Sequence, residues 1–213
     1  MGTALSYGWN GFKNNLGSIA VIALAVLVAN LVVNLLSRMV NDSFFFSVLM
    51  SGISIFVSLV IGLGLIRAAL EIVDGRRPDL GALLSTDGVG TYLIASVLVS
   101  IVVFVGFLLC IIPGFIAGFL LQFFGYAIVD GRQGGTAPAV IESDPVGSMR
   151  TSFEITSKNV GSLILLAIVC FAINLLGAFL CGIGLIVTLP VTAIAIAYAW
   201  RFFTSGRIAP QPA

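Results

Sequence analysis

The sequence contains no histidine. That removes the commonest catalytic base and the commonest transition-metal ligand. Cysteine is nearly as scarce: Cys110, Cys170 and Cys181 are the 3 present, without Cys-x-x-Cys spacing, so no zinc or iron–sulfur site is expected. Neither a metal nor any other cofactor is expected. Charge is short as well. Only 9% of residues are Asp, Glu, Lys or Arg, against roughly a quarter in soluble domains. The net charge of +1 gives no bulk attraction to nucleic acid, and no nucleic-acid partner is expected. A cleavable leader is not expected either, because the first apolar run is long, follows a polar aromatic segment and lacks a small-residue cleavage site. Met1-Gly2 with Ser6 fits the loose myristoylation pattern, an anchor that adds little to a multi-pass chain.

What the sequence has is apolar length. Hydrophobic residues make up 59% of it, and a helix needs about 20 of them to cross the hydrocarbon layer. Six runs read as spans: residues 16–37, 44–66, 89–112, 115–129, 160–180 and 183–203. The second continues through Arg67 and Glu71 until Asp74-Gly75-Arg76 stops it. Pro113 suits either a tight turn with Gly114 or the first turn of the fourth span. Pro190 lies inside the sixth and predicts a kink. A lead-in helix is predicted ahead of each pair of spans. In 3–15, Leu5, Trp9, Phe12 and Leu16 share one face, which predicts a helix lying in the membrane interface with Trp9 at headgroup depth. Pro78, Asp79 and Gly88 predict a second over 78–87. Asp144 as N-cap and Pro145 as first residue predict a third, with Val146, Met149, Phe153 and Val160 on its apolar face. Residues 205–213 read as a frayed tail.

The pairs of spans repeat one another. IVDGR occurs at 72–76 and again at 128–132. Asn15-Leu16-Gly17-Ser18 set over Asn159-Val160-Gly161-Ser162 places Trp9 on Phe153 and Asn30 on Asn174; Gly106 set over Gly177 places Cys110 on Cys181. The chain is one membrane domain, 1–213, with units of about 1–77, 78–133 and 134–213. An even number of spans per unit makes the repeats parallel, around a pseudo-threefold axis along the membrane normal. Lys13, Arg67, Arg76, Arg77, Arg132, Arg150, Lys158, Arg201 and Arg207 fall on one side and only Arg38 on the other. That asymmetry predicts both termini and the lead-in helices to be cytoplasmic. The fold class is therefore all-α integral membrane: six transmembrane helices as three helix-hairpin pseudo-repeats, each preceded by a cytoplasmic-side amphipathic helix.

FKNNLG at 12–17, the LLCIIPG tip at 108–114, the IVDG exit and SMRTSFEITSKNVGSL at 148–163 carry a resemblance. They resemble a broad family of bacterial multi-pass proteins that includes the YciC-like proteins and the membrane domain ahead of some glycerophosphodiester phosphodiesterases. The resemblance covers nearly the whole chain. It implies a six-helix domain in a bacterial inner membrane and no activity, since no phosphodiesterase domain that would carry catalysis is expected.

Catalysis needs convergent ionisable groups, and no catalytic residue is expected. Arg67, Glu71, Asp74, Arg76, Asp130 and Arg132 gather at span ends and are candidates for headgroup or partner contacts; the competing reading is helix termination by Asp-Gly with an anchoring Arg. Asn30, Asn34, Gln122 and Asn174 are the intramembrane amides, read as interhelical glue or as the lining of a path. Cys110 and Cys181 share the tip position, where a disulfide is one reading and apolar packing the other. The function expected is a non-enzymatic integral membrane scaffold or accessory subunit, with membrane lipids, other membrane proteins or further copies of itself as partners. The alternatives are a small-molecule, lipid or peptide transporter or channel with a path between the repeats, and an enzyme acting on lipid headgroups.

Overall fold

The computed structural model describes residues 2–17, 44–78, 88–132, 144–179 and 184–210, and among them it is helical without strands. Eight helices follow in order: α1 Gly2–Asn14, α2 Phe44–Val73, α3 Val89–Leu109, α4 Ile111–Leu120, α5 Phe124–Arg132, α6 Pro145–Lys158, α7 Val160–Phe179 and α8 Leu185–Phe203. Among the described residues, five stretches are long and apolar enough to cross a membrane: Ser51–Val73, Val89–Leu109, Ile111–Gly131, Val160–Phe179 and Leu185–Phe203. The expected span over 16–37, the expected helix over 78–87, and Asn30, Asn34 and Cys181 fall wholly or mainly outside the described residues.

At the α3–α4 tip, Cys110 is extended and Pro113 takes the first turn of α4, the second of its two sequence readings. The helices touch through glycine: a Cβ on Gly106 would stand 2.9 Å from the Gly114 Cα. The α7–α8 tip uses the same device, since a Cβ on Gly184 would stand 2.6 Å from the Gly177 carbonyl oxygen. Small residues permit this close approach. Phe104, Leu108, Leu109, Ile112, Phe115 and Phe179 are exposed around the tips. In water such a surface is unfavourable; against lipid it carries no cost.

The opposite end is densely packed. Residues 67–73 of α2 and 125–131 of α5 are buried without exception, as is most of α8 from Pro190 onward. Trp200 is wholly buried, its ring 5.8 Å from that of Phe123. Pro190 sits within a helix that runs on from Leu185 to Phe203.

Two short helices jacket this end. Gly8 of α1 meets Val191 and Ala195 of α8, while Ala4 shares a cavity wall with Ala199 and Phe203, so α1 runs antiparallel to α8. Its buried face is Ala4, Tyr7, Gly8 and Gly11, whereas Trp9 and Leu16 of the predicted stripe are exposed. In α6 the buried face is Ser148, Ser152 and Thr156, and the predicted stripe residues Val146 and Phe153 point outward. Asp144 caps α6 as expected, its Oδ1 accepting from the Val146 N–H at 3.0 Å.

Ser152 does more than pack. The fourth expected span is broken between α4 and α5 at residues 121–123. The Ser152 hydroxyl accepts from the Phe123 N–H at 2.9 Å and donates to the Leu120 carbonyl at 2.9 Å. It thereby satisfies two backbone groups that the break would leave bare in an apolar setting.

Within the expected frayed tail, residues 206–210 are docked, and 211–213 lie outside the described residues. Ala209 N–H donates to the Val73 carbonyl at 2.8 Å, and the Tyr7 hydroxyl lies 2.9 Å from the Ala209 oxygen and 3.3 Å from that of Val73. Helix ends leave carbonyls without intrahelical donors, and residues 206–210 supply one to the end of α2.

Candidate functional site

The site grows from helix termination. Gly75 at φ +79 ends α2, with Arg76 N–H donating to the Glu71 carbonyl at 2.8 Å and Gly75 N–H to that of Ile72 at 3.1 Å. This is a Schellman stop, for which glycine is the natural residue. It fixes Asp74 at the helix mouth. Asp130 lies in the last turn of α5 and Arg201 in the last turn of α8.

These three ends converge. Arg201 Nε donates to Asp74 Oδ1 at 2.9 Å and its Nη2 to Asp74 Oδ2 at 2.8 Å, while Nη1 donates to Asp130 Oδ1. Arg201 is 3% exposed and Asp130 0%. Arg76, in the open, donates to Asp74 Oδ2 at 3.0 Å. Two carboxylates thus meet two guanidiniums. Buried charges demand such pairing, because desolvation costs several kcal/mol per unmatched ion.

Of the predicted residues, Asp74, Asp130 and Arg76 are thus brought together. Arg67 and Glu71 are buried in α2 above Asp74, each engaged within the fold. Arg132 closes α5, its side chain outside the described part. Asn174 Nδ2 donates to Thr192 Oγ1 at 3.2 Å, joining α7 to α8. Gln122 lies in the α4–α5 break with its Nε2 buried and without a hydrogen-bond partner among the described residues. Cys110 is exposed with a free thiol.

Arg201 is the residue that sequence reasoning missed, counted there only as one more positive charge at a membrane edge. The signal existed. Gly106 over Gly177 is a shift of 71, and the same shift sets Arg201 over Asp130. The third exit carries the opposite charge at the equivalent position.

Two cavities among the described residues, one beside Thr3 and Phe203 and one beside Leu98 and Phe153, include none of Asp74, Asp130 or Arg201. The arrangement is a closed electrostatic clamp tying three helix ends.

Five apolar stretches among the described residues long enough to span, three of them joined at one end by buried ion pairs, define a helical membrane protein. The chain is similar to an uncharacterised protein of Mycobacterium tuberculosis strain H37Rv, 28% identical over 236 aligned positions that take in 98% of this chain and 70% of the relative. Uncharacterised proteins of Mycobacterium bovis and of M. tuberculosis strain CDC 1551 match to the same extent. No family model and no solved structure matches.

Proposed function

We propose that the chain is a non-enzymatic integral membrane scaffold or accessory subunit that packs against lipid and other membrane proteins. The observation that carries this is the commitment of three Arg201 nitrogens to Asp74 and Asp130. Groups held this way keep a shape; a catalytic group must be free to reach substrate. The same convergence supports the finer architecture, six spans in three parallel hairpin units with cytoplasmic exits in a bacterial inner membrane. The paired glycines at two tips support it too. Kinship with the YciC-like proteins and the phosphodiesterase-associated membrane domain belongs to this proposal, on the motifs quoted above.

The test is purification in native nanodiscs followed by mass spectrometry of bound lipid and protein. A partner at fixed stoichiometry, or self-association, is expected. A monomer with neither overturns the reading.

A further inference from the structure

A second feature lies on the flank, away from the clamp. Leu98 and Val102 of α3 face Val146 and Phe153 of α6 across an open groove of about 520 Å³, with Arg150 and Glu154 completing it. That volume is within the roughly 300–1,000 Å³ of ligand sites. The walls are almost entirely apolar, and they run on into the exposed Ile101 and Val105 of α3.

The charge at the groove is not balanced. Lys158 holds Glu154 at 2.6 Å, and that hydrogen bond keeps the Glu154 carboxyl below its usual range, hence ionised. The Glu154–Lys158 pair sums to zero. Arg150 makes no ion pair among the described residues, so the local sum is one positive charge. The groove also marks a boundary: α6 covers the inner part of α3, and the bare apolar part begins beyond it.

We propose that this groove binds one anionic phospholipid, with an acyl chain between α3 and α6 and the phosphate on Arg150. The proposal rests on the membrane placement of α3 and is independent of the scaffold reading. A water-soluble ligand would leave the apolar walls unmatched, and a purely apolar one would leave Arg150 unmatched; a phospholipid answers both.

The experiment loads the detergent-purified full chain separately with dioleoylphosphatidylglycerol and dioleoylphosphatidylcholine and reads retained lipid by native mass spectrometry. The wild type should retain phosphatidylglycerol about fivefold over phosphatidylcholine, the factor one basic residue contributes at an anionic membrane surface. Arg150→Gln should bring the two to parity. Val102→Trp, which fills the groove, should lower both. Lys13→Gln, on α1, should leave the preference intact. Arg150→Gln keeping the preference would overturn the proposal. So would Lys13→Gln losing it equally, or glycerol 3-phosphate displacing the lipid at equal concentration, which would mark a bare anion site.

Discussion

Arg201 is where a single substitution reaches furthest. Arg201→Met leaves Asp130 buried without its guanidinium, and removing one partner of a buried pair costs about 3–5 kcal/mol. Reversible unfolding in mixed micelles should show that loss. Asp130→Leu combined with Arg201→Met should recover most of it, because the buried pair leaves together and Asp74 keeps Arg76. Loss in the double variant equal to the sum of the single losses would refute the clamp. The exposed Lys158–Glu154 pair is the counter-case, and Lys158→Ala should leave unfolding unchanged. Ser205 offers the opposite sign. It ends α8 at φ 55, with Gly206 N–H donating to the Arg201 carbonyl at 2.7 Å. Ser205→Gly should stabilise by about 1 kcal/mol, since a side chain is strained there. Asp74 and Asp130 were legible because each belongs to a repeated motif. Arg201 was not, because an arginine at the end of a membrane helix is an ordinary anchor until the repeat register is carried through to it.

At the scale of elements, the helices were legible and their faces were not. Apolar spacing located α1 and α6, but an apolar stripe points to the interior only when the surroundings are water. Here the interior takes the small residues and hydroxyls, Ala4-Gly8-Gly11 and Ser148-Ser152-Thr156, and leaves Trp9 and Phe153 outside. Small residues there permit the same close approach that they permit between membrane helices. Two variants test it. Gly8→Val drives a side chain into the Val191 carbonyl oxygen, 2.6 Å from where its Cβ would stand, and should destabilise by about 1–3 kcal/mol as α1 shifts off α8. Ser152→Ala leaves the Phe123 N–H and Leu120 carbonyl bare at a cost of about 1–3 kcal/mol, with faster hydrogen exchange at Phe123. Unchanged exchange would mean that the hydroxyl is not what satisfies the break. The break itself left no trace in the sequence: Leu121-Gln122-Phe123 contains neither proline nor glycine, and the partner that permits it comes 29 residues after Phe123.

For the whole molecule, hydropathy was enough to give the class, and charge asymmetry gives an orientation that labelling can check. In a background lacking all three native cysteines, a membrane-impermeant maleimide should reach a cysteine placed at Arg76 only after lysis and not in intact cells. The reverse pattern would invert the topology. The docked tail was not legible, because its contacts are backbone groups that any sequence presents. Truncation after Ser205 should still be felt, at about 1–3 kcal/mol, as the Val73 carbonyl loses its donor.

The clamp also has a timetable. Arg201 is synthesised 71 residues after Asp130 and 127 after Asp74. At roughly 5–20 residues per second, the two acids wait roughly 4–14 s and 6–25 s for Arg201. The α2 and α5 ends are therefore made before the guanidinium that joins them, and α8 is the helix that fastens the two. Chains stalled before residue 201 should remain open to protease at the α2 and α5 ends.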